Sequence, residues 1–62
     1  MIKYYKVNMY DLTTECFKID FSQSPLVIQW ENGLRHNANM VYIDNLNKSE
    51  ITEDEWLLNN IK

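Results

Sequence analysis

The hydrophobic and polar positions at the start of the chain alternate with the two-residue period of a half-buried β-strand. In residues 2–10 one side is apolar, and the wetter side carries Tyr4, Lys6, Asn8 and Tyr10. Residues 15–21 alternate in the same way, and their apolar side carries Phe17, Ile19 and Phe21. Asp11 lies between the two runs and favours a turn, because its side chain can bond to nearby backbone. The pattern predicts an N-terminal β-hairpin over residues 2–21.

Two turn signals divide the middle of the chain. Pro25 cannot donate to a β-ladder, so it fits the start of a strand, which we predict near residues 26–31. The pair Asn32-Gly33 is favoured in two-residue hairpin turns and predicts a short return strand over 34–36. A helix over 28–36 is the alternative, because apolar residues also recur there four positions apart. The glycine and the preceding β-branched residues weigh against that helix.

The segment that follows is predicted to add one more strand. We interpret residues 37–39 as a loop or bulge, residues 40–44 as a strand, and residues 45–49 as a polar connection. The chain is too short for more than one domain. We therefore expect a single α+β domain spanning 1–62, with a small antiparallel sheet of three to five strands.

The C-terminal segment carries the strongest local signal for a helix. Thr52 and Glu55 have the spacing of a capping box, and Ile51 and Trp56 have the spacing of a hydrophobic staple. These features predict one short helix at about residues 53–61. Its predicted apolar face carries Trp56, Leu57 and Ile61. A helix of this length is not stable alone in water, so it must pack on the sheet or on a partner.

Composition excludes several classes of site. The single cysteine, Cys16, cannot form an intrachain disulfide, and the single histidine, His36, has no second thiol with which to hold zinc. Nothing in the sequence places Cys16 beside His36 for nucleophilic catalysis. One glycine in the chain excludes the glycine-rich phosphate loops. We therefore predict no enzyme activity, no metal and no cofactor.

Charge and codon-linked composition suggest an origin and a compartment. The net charge is −3 and the six basic residues are scattered, which disfavours binding to a phosphate backbone. No apolar run approaches the roughly 20 residues that span a bilayer, and no signal-peptide segment is visible. Asn occurs eight times, whereas Ala, Gly, Pro and Arg occur once each, as in AT-rich genomes. We expect a cytoplasmic protein of phage or mobile-element type, acting in the host cytoplasm.

These features predict a small acidic interaction protein that binds and modulates, or inhibits, a host protein. The alternatives are a nucleic-acid-binding module that uses sheet-face aromatics and a homo-oligomeric structural protein, and a homodimer is compatible with the first hypothesis. Aromatic residues are enriched at protein-binding hot spots, and acidic residues can dock on basic surfaces. The candidate partner-binding residues are Tyr4, Lys6, Asn8, Tyr10, Trp30, Glu53 and Asp54.

Overall fold

A computed structural model describes residues 1–9 and 12–60 of the chain. The strands are β1 (Ile2–Asn8), β2 (Thr14–Asp20), β3 (Leu26–Trp30), β4 (Arg35–Ala38) and β5 (Lys48–Ile51). The helices are α1 (Met40–Asn45) and α2 (Glu53–Asn60). The five strands form one antiparallel sheet in the order β4-β3-β2-β1-β5. The predicted small α+β fold with an antiparallel sheet and a C-terminal helix is confirmed, and a second helix is added to it.

The N-terminal hairpin has the predicted alternation of faces. β1 and β2 pair so that Tyr5 lies opposite Phe17 and Lys6 lies opposite Cys16. Since successive side chains point to opposite faces, the register divides the sheet into two surfaces. We call the surface that carries Phe17 the core face and the surface that carries Cys16 the outer face.

The core face holds the main hydrophobic core. Its buried residues interlock across β1, β2 and β3 and are joined by one residue of α1; they are Val7, Phe17, Ile19, Ile28, Trp30 and Ile43. Aromatic contacts add to this packing. The ring centroid of Phe17 lies 5.4 Å from that of Tyr5 and 5.0 Å from that of Trp30. The core face is therefore closed by α1, while α2 packs on the outer face.

The two hairpin turns share one backbone pattern. In the first, the amide of Met9 donates to the carbonyl of Thr13 and the amide of Leu12 donates to Met9. In the second, the amide of Trp30 donates to Leu34 and the amide of Gly33 donates to Trp30. In each pattern the residue two positions before the returning strand, Leu12 or Gly33, is left-handed, and the second turn is a three-residue loop, the usual alternative to a two-residue turn.

The predicted two-residue turn at Asn32-Gly33 is therefore wrong by one residue. Gly33 has a φ of 92° and takes the left-handed place at the end of the loop. Because the loop includes Glu31, β3 ends at Trp30, and the return strand is Arg35–Ala38 instead of 34–36. The predicted loop at 37–39 shortens accordingly.

The predicted strand over 40–44 is wrong, since Met40–Asn45 form α1. Asn39 adopts an extended conformation, and its side-chain oxygen accepts a 2.9 Å hydrogen bond from the amide of Tyr42. That bond satisfies one of the amides left open at a helix start. Ile43 is the buried residue of the helix. A short apolar run does not distinguish strand from helix by periodicity, and here the cap decides.

The predicted polar connection over 45–49 is also corrected, because Lys48–Ile51 form the edge strand β5. β5 pairs antiparallel with β1 and places Lys48 opposite Val7 and Ile51 opposite Tyr4. Its sequence has no strand-like alternation of apolar residues. Charged side chains are common on edge strands, which pair through the backbone on one side only.

α2 begins where the capping signal predicts. The hydroxyl of Thr52 accepts a hydrogen bond of 3.2 Å from the amide of Glu55, and Trp56 is buried. The predicted apolar face is wrong at Leu57, which is exposed, and Ile61 lies outside the described residues. Neither helix in the described part of the chain has the length and apolar character needed to cross a membrane.

Candidate protein-binding surfaces

The sheet separates the residues that the sequence proposed as one contact surface. Tyr4, Lys6 and Asn8 belong to the outer face, whereas Trp30 pairs with Phe17 on the core face. Tyr10 lies outside the described residues. The structure therefore brings together only part of the proposed set.

Tyr4 is used to hold α2 on the sheet. Its ring lies 5.8 Å from the ring of Trp56, and its hydroxyl donates a 2.9 Å hydrogen bond to Oε2 of Glu53. This bond raises the pKa of the Tyr4 hydroxyl above its usual value, and desolvation and the charge of Glu53 act in the same direction. Two of the proposed contact residues, Tyr4 and Glu53, thus bind each other across the helix-sheet junction.

The other proposed residues divide between surface and core. Lys6, Asn8 and Asp54 are exposed and remain available for contact. Trp30 is only 8% exposed, and its indole Nε1–H donates a hydrogen bond of 2.8 Å to Nε2 of His36. Because Trp30 is packed and hydrogen-bonded, we interpret it as a core residue.

Cys16 and His36 lie on opposite faces of the sheet. Cys16 is buried on the outer face, opposite Lys6. His36 pairs with Ile28 on the core face and is held by Trp30. The sheet stands between the thiol and the imidazole, so the two cannot act as a nucleophile and base pair. Among the described residues, no group of three or more His, Cys, Asp or Glu is arranged to hold a metal ion.

The surface of α1 is a feature that the sequence interpretation missed. Its first three residues, Met40, Val41 and Tyr42, are all exposed, and Val41 is 69% exposed. We call these three residues the α1 patch. The signal that could have found it was Asn39 followed by an apolar run, which is the pattern of a capped helix as well as that of a strand.

The α1 patch rests on a firmly held helix. Asn39 caps its start, Ile43 is inserted in the core, and the Lys48 ammonium donates a 2.8 Å hydrogen bond to the carbonyl of Ile43. The Tyr42 and His36 rings also lie nearly perpendicular to each other, with centroids 6.1 Å apart. A six-residue helix has little stability of its own, so these contacts fix its orientation.

A shallow groove lies on the outer face beside α2. It has a volume of about 160 Å³, below the usual range of about 300–1,000 Å³ for small-molecule pockets. Its lining residues come from the first three strands, the turn after β2, and the start of β4; they are Ile2, Lys18, Asp20, Gln23, Val27, Gln29 and Arg35. The groove is better suited to a protein side chain than to a whole metabolite.

The charge of the groove is basic, in contrast to the rest of the chain. Oδ1 of Asp20 accepts hydrogen bonds from the hydroxyl and amide of Ser22 and from the amino terminus. The bonds from Ser22 lower the pKa of the Asp20 carboxyl, and the amino terminus partly offsets its charge. Neither Lys18 nor Arg35 forms an ion pair with a carboxylate in the described part of the chain. Two cations therefore face this groove.

Comparison of the chain with protein-family models, with curated proteins and with solved structures finds no match.

Proposed function

We propose that this protein is an interaction protein that binds a larger protein through the α1 patch and modulates it. The observation that supports this most directly is the exposure of Met40, Val41 and Tyr42 on one capped helix. Scattered apolar residues are normal on protein surfaces, but adjacent ones on a fixed helix are a common feature of binding sites.

The composition of the patch suits a protein contact. Methionine and tyrosine are enriched in the centres of protein interfaces, and Met40 and Tyr42 flank the aliphatic Val41. Asn39 and Lys48 already hold the helix in place, so binding would not cost the conformational entropy of ordering it.

The partner that fits this surface has an apolar groove with a basic rim. Asp44 is exposed one residue beyond Ile43, α1 contains no basic residue, and the chain carries a net charge of −3. Complementary charge on the partner would speed association and disfavour acidic competitors.

The AT-rich composition supports a phage or mobile-element origin, in which case the partner would be a host protein of the cytoplasm. The nucleic-acid alternative has less support, because it relied on Tyr4 and Tyr10 as stacking platforms. The Tyr4 ring packs on Trp56, and its hydroxyl bonds to Glu53. Base stacking needs an accessible ring in a basic groove.

The test is affinity capture with two matched variants. Val41 and Leu58 are both 69% exposed, one on α1 and the other on α2, so Val41→Asp and Leu58→Asp introduce the same charge at equal exposure. We expect a protein from a low-GC bacterial lysate to be retained by the wild type and by Leu58→Asp and to be lost with Val41→Asp. Equal retention by all three would contradict the α1 patch as the contact, provided that circular dichroism shows both variants folded.

A further inference from the structure

Helix α2 covers only part of the outer face of the sheet. It packs over β1 and β2, where Trp56 meets the ring of Tyr4 and lies 5.8 Å from the ammonium of Lys18. The groove continues past Lys18 onto β3 and β4, where Val27, Gln29 and Arg35 line it. This half of the outer face contains apolar as well as basic positions.

The groove and the exposed side of α2 have complementary chemistry. The groove presents the cations Lys18 and Arg35 and the apolar residues Ile2 and Val27. Its one carboxylate, Asp20, is paired with the amino terminus at 3.4 Å. The exposed residues of α2 combine three acids with two leucines; they are Glu53, Asp54, Glu55, Leu57 and Leu58. The acids of α2 complement the cations of the groove, and its leucines complement the apolar groove residues. The two surfaces could therefore form a contact with an apolar centre and a charged rim.

α2 and the groove lie on the same side of one sheet. When two copies are related by a two-fold axis, the helix of each copy can therefore contact the groove of the other. Such a reciprocal contact closes at two copies, whereas contacts between surfaces facing different directions build rings or filaments. A chain of this size also buries little surface on its own, so a second layer would add to its stability.

We propose that two copies of this chain form a two-fold dimer in which α2 of each copy lies in the outer-face groove of the other. The acidic first turn of α2 faces Lys18 and Arg35 of the second copy, and Leu57 and Leu58 cover its Ile2 and Val27. An acidic helix from another protein would match the charge of the groove, but it would leave the leucines of α2 uncovered.

The first experiment measures mass against concentration by sedimentation equilibrium for the full chain. We expect a dimer whose dissociation constant rises by at least about ten-fold in Leu58→Asp and in Arg35→Glu. It should also rise with added salt, because the charged rim is screened. A wild type that stays monomeric up to millimolar concentration at low salt overturns the proposal, as does a dimer that neither substitution weakens.

Charge exchange tests the reciprocal geometry directly. Arg35→Glu and the double variant Asp54→Lys with Glu55→Lys should each be monomeric, because like charges meet at both contacts. Mixing the two should restore a heterodimer, since the altered groove meets the altered helix while the unaltered groove meets the unaltered helix. Circular dichroism checks that each variant is folded, and failure of folded variants to associate on mixing refutes this arrangement.

The dimer and the α1 contact can fail separately. Val41→Asp should leave the dimer mass unchanged while abolishing partner capture, and Leu58→Asp should do the reverse. If Val41→Asp disrupts the dimer and Leu58→Asp does not, the copies associate through α1, and the proposal for the outer face is wrong.

Discussion

The indole Nε1–H of Trp30 donates a 2.8 Å hydrogen bond to Nε2 of His36, and the two ring planes lie within 25° of each other with centroids 6.3 Å apart. An indole N–H can only donate, so Nε2 of His36 is the acceptor, and the proton of the neutral imidazole lies on Nδ1. Nδ1 lies 3.1 Å from the carbonyl oxygen of Asn37, and its N–H donates a hydrogen bond to that oxygen. His36 thus links the core tryptophan to the edge strand β4.

The first prediction removes the acceptor that His36 provides. His36→Phe keeps a ring against Trp30 but leaves its buried N–H without a partner, so we expect the free energy of unfolding to fall by about 1–3 kcal/mol. His36→Gln offers a carbonyl oxygen and should lose less. Urea denaturation measures both variants, and equal stability of wild type and His36→Phe would contradict the structural role of this bond.

A second prediction concerns the two equivalent hairpin turns. Leu12 is 95% exposed and has a φ of 67°, whereas Gly33 takes the same left-handed place in the other turn. The left-handed conformation costs a residue with a side chain roughly 1–2 kcal/mol, and glycine loses extra chain entropy of about 0.5–1 kcal/mol. Leu12→Gly should therefore raise the free energy of unfolding by up to about 1 kcal/mol.

The matched control for that prediction is Gly33→Ala. A Cβ at Gly33 would meet no atom within 4 Å, so any loss of stability in the variant comes from the backbone conformation alone. We expect Gly33→Ala to destabilise the protein while Leu12→Gly stabilises it, as measured by thermal denaturation. Destabilisation in both variants would mean that the Leu12 side chain contributes a contact that outweighs its strain.

The N-terminal hairpin could be predicted because each of its faces repeats one chemical character. Phe17 and Ile19 alternate with polar neighbours, and a helical period fits those positions poorly. α2 could be predicted for a different reason, since Thr52 and Glu55 have the spacing of a capping box and mark the first turn of the helix. In both cases a short stretch of sequence contained the deciding interaction.

The errors arose where the deciding interaction was distant or not hydrophobic. β5 forms because Lys48–Ile51 pair with the backbone of β1, and the polar side chains of β5 give no sign of that pairing. α1 begins at the cap that Asn39 provides, and Ile43 is its buried residue. Sequence position alone does not reveal which member of an apolar run is buried.

The candidate site was predictable only in part for the same reason. Aromatic residues identify both cores and interfaces, and only the fold shows that Tyr4 and Trp30 have intramolecular partners. The prediction of a strand over 40–44 does not place Met40, Val41 and Tyr42 together at the surface, although Asn39 before an apolar run is also the pattern of a capped helix. Exposure is a property of the assembled sheet and helices.

A third prediction tests the cap of α2. Thr52→Ala removes the hydroxyl that accepts a bond from the amide of Glu55, which should cost about 1 kcal/mol, whereas Thr52→Ser keeps the hydroxyl and should cost little. Because Thr52 fixes the start of α2 whereas β2 is held between β1 and β3 in the sheet, hydrogen exchange at the α2 amides should accelerate more than exchange in β2. Uniform acceleration across both elements would indicate that α2 and the sheet unfold as one unit.

The last prediction follows from the bond between Tyr4 and Glu53. The raised pKa of the Tyr4 hydroxyl means that the folded protein holds this proton more tightly than the unfolded chain does. The resulting stability is fully present below the usual tyrosine pKa near 10 and is lost as pH rises through the folded pKa. Urea denaturation should show the stability difference between wild type and Tyr4→Phe narrowing above about pH 10.

Glu53→Gln tests how much of the raised pKa of the Tyr4 hydroxyl is due to the Glu53 carboxylate and how much to the other surroundings of Tyr4. Without the negative acceptor, the pKa of the Tyr4 hydroxyl should fall toward its usual value, and tyrosinate absorbance should develop at lower pH than in the wild type. The Tyr4→Phe spectrum identifies which part of the titration belongs to this residue. If Glu53→Gln leaves the wild-type titration unchanged, the Tyr4 hydroxyl does not bond to Glu53 in solution, and α2 is held on the outer face chiefly by the packing of Trp56 against the Tyr4 ring.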